Sequence, residues 1–127
     1  MASIQNRTVC VVDDDEAVRD SMRALLESHG MIVRDYASAR AFLADADDAP
    51  VECFLLDLHM PEMSGLDLLE TLRLRHIETP VIVITGRSDV TLRERARRAG
   101  VLAFLDKPVD EDELILSISM AFPDARP

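Results

Sequence analysis

The chain has 127 residues, 48% of them apolar and 30% charged, which fits one folded domain and is too apolar for a disordered chain. Fourteen Lys and Arg against 24 Asp and Glu leave a net charge of −10, which argues against gripping the phosphate backbone of DNA or RNA and favours cationic partners or metal ions. No run approaches the roughly 20 apolar residues of a membrane span, and neither Cys10 nor Cys53 sits in a metal or redox motif, so a cytoplasmic protein with two core thiols is expected.

Short β-branched and aliphatic runs alternate with segments of helical period. The first run, residues 9–12, leads straight into Asp13-Asp14-Asp15-Glu16. Val18, Met22, Leu25 and Leu26 then recur at steps of three and four, predicting a helix that stops near Gly30. A second run at 31–36 leads to Ser38, a candidate cap for a helix carrying Ala41, Phe42 and Leu43 toward the sheet and terminated by Asp47-Asp48-Ala49-Pro50. After a third run at 51–56, Gly65 opens a helix with Leu66, Leu69 and Leu72 in register. A fourth run at 81–85 precedes a helix capped by Ser88 or Asp89 and ending at Gly100. The fifth, at 101–105, leads to a helix over about 110–122 with Leu114, Ile115 and Ile118 inward. This β-α alternation predicts one α/β domain over residues 1–127, with a parallel sheet because each helix returns the chain to begin the next strand in the same direction.

In open sheets of this class, ligands sit beyond the carboxyl ends of the strands. Those ends carry Asp13-Asp14-Asp15, Asp57, Thr85, and Lys107 followed by Pro108. If strands one, three, four and five are neighbours, these groups meet in one shallow pocket. Two carboxylates about 4 Å apart repel by about 4 kcal/mol at an effective dielectric near 20. That is large against a domain stability of about 5–15 kcal/mol, so one acid stays protonated or a cation neutralises the set. An all-oxygen cluster suits a hard ion, and magnesium needs few carboxylates and readily adds a phosphate oxygen. Asp15 and Glu16 read more simply as caps of the first helix.

Taken together, V-V-D-D-D, L-L-D-L-H-M-P-E-M-S-G, I-V-I-T-G and A-G-V-L-A-F-L-D-K-P resemble, in order and spacing, the receiver domain of bacterial two-component response regulators. The resemblance covers about residues 8–122 and implies a doubly wound five-stranded sheet of order 2-1-3-4-5 flanked by five helices. It implies that Asp57 accepts a phosphoryl group from a sensor histidine kinase or phosphotransfer protein. Asp13 and Asp14 would be the acidic pair, with Asp14 a direct ligand of magnesium (or manganese) and Asp13 acting largely through water. Asp57 and the backbone carbonyl of His59 would complete the ligand set. Thr85 corresponds to the switch hydroxyl, Lys107 to the family's lysine and Phe104 to its rotating aromatic, and Pro108 implies a cis peptide after Lys107. The S-G-L-D-L-L and T-G-R-S-D-V stretches lean toward the nitrogen-fixation regulator branch.

The residue chemistry agrees with that resemblance. A carboxylate nucleophile attacking phosphorus gathers charge on three equatorial oxygens, which magnesium and Lys107 can meet. Gly86 leaves room for the group, Thr85 can donate to it and move inward, and Phe104 can fill the vacated space. His59 and Arg87 would flank the phosphate, with Arg87 expected to hinder attacking water. His29 and His76 are given no role. The arginine-rich fourth helix is a candidate docking or dimerisation face together with the fifth strand. Such a domain catalyses only its own phosphorylation and dephosphorylation, and it either acts alone or serves a longer transcription regulator. Two alternatives remain open here. A haloacid-dehalogenase-type phosphatase or phosphotransferase wants D-x-D, but His59 holds the second position. A Rossmann-type nucleotide site lacks its glycine-rich loop among only four glycines.

Overall fold

In the computed structural model of the protein, residues 4–45, 50–86 and 90–122 are described. The apolar runs form five strands: β1 (Thr8–Val12), β2 (Ile32–Tyr36), β3 (Cys53–Asp57), β4 (Val81–Thr85) and β5 (Ala103–Asp106). Each is followed by a helix: α1 (Glu16–Ser28), α2 (Ala39–Ala44), α3 (Gly65–Leu74), α4 (Val90–Arg98) and α5 (Glu111–Ser119). All strand pairs are parallel and the sheet order is β2-β1-β3-β4-β5. The order reverses between β1 and β3, which opens a crevice beyond their carboxyl ends.

Alternation along each strand divides the core into two layers. Val9, Val11, Leu55, Ile82 and Ile84 face α1 and α5, meeting Met22, Leu26, Leu114 and Ile118. Cys10, Val12, Phe54, Leu56, Val81 and Val83 face the other way, onto Phe42 of α2, Leu66 and Leu69 of α3, and Ala96 of α4. Because β3 and β4 are covered on both sides, every one of their residues is buried. Burial pushes the Cys10 and Cys53 thiols up to about 12, so both are inert core groups.

Several boundaries move for identifiable reasons. β3 starts at Cys53, and Glu52 just before it sets its carboxylate on the Thr8 N–H, at 2.8 Å, and on Arg7, at 3.0 Å. Gly30 and Gly100, both at φ +83°, end the turns after α1 and α4 where the sequence placed helix stops. The expectation for α2 is corrected in one residue: Ala39 and Phe42 are its buried positions, Leu43 is half-buried, and Ala41 points to solvent. The expected terminator at 47–49 and the Ser88 or Asp89 cap lie outside the described residues. Among the described residues no helix is long and apolar enough to cross a membrane.

Candidate functional site

Immediately beyond β1, Asp13 is buried and pinned from three directions. Its N–H donates to the Tyr36 carbonyl, its Oδ1 accepts the Asp15 N–H at 2.9 Å, and Arg19 donates to its carbonyl at 2.8 Å. Asp15 in turn caps α1, accepting from the N–H groups of Ala17 and Val18. Asp14, between them, is exposed. Asp57 is the last residue of β3 and only 5% exposed, and its Oδ1 accepts the His59 N–H at 3.1 Å. One carboxylate oxygen from each of Asp13, Asp14 and Asp57 can be chosen so that all lie within 4.8 Å of one another.

Lys107 completes the group from the far side. Its Nζ lies 3.0 Å from Asp13 Oδ2 and 3.3 Å from Asp57 Oδ2, so one ammonium is shared by two buried acids. The loop carrying it is fixed by the Lys107 N–H donating to the Thr85 carbonyl, at 2.9 Å, and the Lys107–Pro108 peptide is cis. Burial holds the Asp57 carboxyl above its ordinary value, and the Asp13 charge adds to this against the His59 N–H and Lys107. Burial alone would lower Lys107, but its hydrogen bond to Asp13 and the charges of both acids outweigh that and raise it.

The donor set consists of three carboxylates with no imidazole or thiolate, and it retains net negative charge after Lys107 is counted. It therefore fits a hard divalent cation. Both Asp13 oxygens are already engaged, one by the Asp15 N–H and one by Lys107. Asp14 has no such partner among the described residues, so it is the acid best placed to coordinate directly.

Gly65 explains how the loop after Asp57 is seated. A Cβ at this position would lie 2.0 Å from the Asp57 carbonyl oxygen, so only glycine lets α3 start against the end of β3. Ser64 fixes the same start through a reciprocal capping box with Asp67. The sequence marked Gly65 only as a helix opening, since its close approach to Asp57 depends on a loop folding back.

Thr85 is fully buried at the end of β4, and Gly86 beside it is exposed. A Cβ on Gly86 would meet the Lys107 chain at an ordinary 3.7 Å. Phe104 is half-buried on β5 beneath Arg93 of α4, a neighbour that nothing in the sequence signals. The His59 ring lines a shallow cleft with Met60, Ser64 and Leu92, its Nε2 buried without a hydrogen-bond partner among the described residues. Arg87 lies outside the described residues. A second groove, of about 670 Å³, runs between α1 and the β5–α5 loop. Val18, Met22, Val109 and Leu114 supply its apolar walls, and Gly86 and Lys107 join it to the acid cluster.

Comparison with known proteins agrees with this geometry. The model of the response regulator receiver domain family matches residues 9–119. The transcriptional regulatory protein FixJ of Azorhizobium caulinodans is 43% identical over 110 residues, covering 87% of this chain and 52% of that protein. The response regulator protein TmoT of Ectopseudomonas mendocina is 38% identical over 117 residues, covering 92% of this chain and 53% of its own length. The chain thus spans about half the length of these relatives. The crystal structure of FixJ-N superposes with a TM-score of 0.83 at 42% identity, covering 92% of this chain and 94% of that one. A CheY-like receiver domain from Methanospirillum hungatei reaches 0.88 at 28% identity, covering 95% and 97%. The haloacid-dehalogenase alternative finds no support among these relatives.

Proposed function

Because the chain belongs to the response regulator receiver family of two-component systems, we propose that Asp57 is the residue through which it receives its signal, accepting a phosphoryl group from a histidine kinase or phosphotransfer protein. The observation that carries this reading is a buried strand-end carboxylate that shares one lysine with a second buried acid. Asp57 attacks the phosphorus of a phosphohistidine, the N–P bond breaks, an acyl phosphate forms, and the imidazole leaves with the bonding pair. Asp13, Asp14, Asp57 and the His59 carbonyl would hold magnesium, which supplies positive charge to the phosphoryl oxygens. The His59 N–H orients the carboxylate, and Lys107 stands ready to meet the developing charge. The apolar groove opening on Lys107 suits a protein donor better than a small metabolite.

Once formed, the acyl phosphate adds about −1.5 to −2 charges and three acceptor oxygens. Thr85 would then turn its hydroxyl toward the phosphoryl group, and Phe104 would follow into the space released. The α4–β5 surface changes as a result, by population shift of a two-state element. Arg87, two residues beyond Thr85, would slow hydrolytic water. The relatives FixJ and the C4-dicarboxylate transport regulator DctR of Rhodobacter capsulatus are named as transcriptional regulatory proteins. We therefore assign the output to transcription control in the cytoplasm, with homodimerisation through α4 and β5 as its route. Incubation with acetyl phosphate and magnesium, followed by intact-mass measurement, should add one phosphoryl group to the wild-type chain and none to Asp57→Asn. An adduct of equal yield on the variant would overturn the assignment.

A further inference from the structure

Phe104 packs on the layer of the sheet that α4 covers, the same layer that Leu92 and Ala96 join. The Arg93 guanidinium lies over its ring, 4.6 Å from the centroid, well inside the range of cation–π attraction. The same guanidinium stands 3.8 Å from Asp106, two residues further along β5 and hence on the same strand face. The remaining described ion pairs of α4 run elsewhere: Arg95 to Glu70 on α3, and Arg97 and Arg98 to Glu94 within the helix. Among the described residues, then, Arg93 makes the only ion pair between α4 and β5. Ala96 is the one fully buried residue of the helix, and Leu92 packs half-buried against the same layer.

We propose that Arg93 is a latch that holds Phe104 in its outward, resting position. This rests on the reading of Phe104 as the moving aromatic and adds the residue that restrains it. For the ring to swing inward, Arg93 must give up the ring face and, with it, the register that keeps its guanidinium near Asp106. The ring contact is the stronger half, since Asp106 is 77% exposed and the ion pair is long. The latch sets the fraction of unphosphorylated molecules already switched. When phosphorylation draws Phe104 inward, it also releases a guanidinium onto the α4–β5 surface. Arg93 acts through Phe104 and is a positioning residue.

The test follows the ring directly. The full chain is labelled with para-fluorophenylalanine, and the Phe104 resonance is identified by its loss in Phe104→Leu. Acetyl phosphate with magnesium then defines the switched position of that resonance. In unphosphorylated Arg93→Met, which keeps the aliphatic stem, the resonance should move toward the switched position, a change of about fivefold in the inward-to-outward ratio. Arg93→Lys should retain part of the restraint, and Asp106→Asn should move the resonance the same way by less. Added salt should mimic Asp106→Asn in the wild type, because screening weakens the ion pair more than the ring contact. A Phe104 resonance that stays at its resting position in both Arg93→Met and Arg93→Lys, or moves away from the switched one, would overturn the latch. Absence of any Asp57 adduct in the wild type would instead overturn the Asp57 phosphoacceptor assignment, so the two failures are distinguishable.

Discussion

Asp57 shows the balance on which the site depends. One ammonium, Lys107, serves two buried carboxylates, so each is under-compensated, and burial lifts Asp57 above its ordinary value of 3.8. Its ionised form is therefore less favourable in the fold than in the unfolded chain. The resulting penalty is absent below the ordinary carboxylate range, grows as pH rises from there to the raised value, and is complete above it. In metal-free buffer Asp57→Asn should accordingly melt higher than the wild type at pH 7, and the difference should vanish by about pH 3, as thermal scans across pH would reveal. Lys107 has the opposite sign. Its raised value stabilises the fold below the ordinary lysine range and is lost only as alkali deprotonates it. Lys107→Ala leaves Asp13 and Asp57 facing each other and should cost about 2–3 kcal/mol by urea denaturation without metal. Millimolar magnesium should recover much of that loss; no recovery would mean that the acids do not share a cation.

At the scale of elements, the β3–α3 loop holds Asp57 through backbone contacts that sequence periodicity does not encode. Gly65→Ala would force its Cβ into the Asp57 carbonyl, so α3 or the end of β3 has to shift. The expected outcome is a lowered melting temperature together with loss of acetyl-phosphate labelling. Gly86→Ala, whose Cβ meets Lys107 at an ordinary 3.7 Å, should keep the wild-type melting temperature. Equal destabilisation of the two would contradict this account of Gly65. The Ser38 and Asp15 caps and the glycine stops were legible because their chemistry is local, each cap accepting N–H groups of the turn that follows; Ser64 and Asp110 cap α3 and α5 in the same way but were not marked as caps. Ala41 was misplaced because α2 has only six residues, too few for spacing to define a face. Arg93 was missed because its two partners sit on another element, and spacing along α4 carries no trace of β5.

For the whole molecule, the proposed site at the acid cluster would make stability depend on a cation. Magnesium that binds the folded chain and not the unfolded one should raise the melting temperature with concentration. Well above the dissociation constant, each tenfold increase adds about 1.4 kcal/mol. Sodium at matched ionic strength should not reproduce this, and a melting point indifferent to magnesium would refute the proposed site. Sequence alone determined the β-α alternation, the parallel sheet and the polar residues at its strand ends, because hydrophobic period and capping are short-range properties of a chain. It also pointed to a cation as the answer to clustered carboxylates. Tertiary structure alone decided that Lys107 already supplies part of that charge, that Asp13 is buried with both oxygens engaged while Asp14 stays open, and that Arg93 covers Phe104. Those are contacts between residues far apart in the chain, and their distances are set only when the strands align in the order β2-β1-β3-β4-β5 and the helices pack onto them.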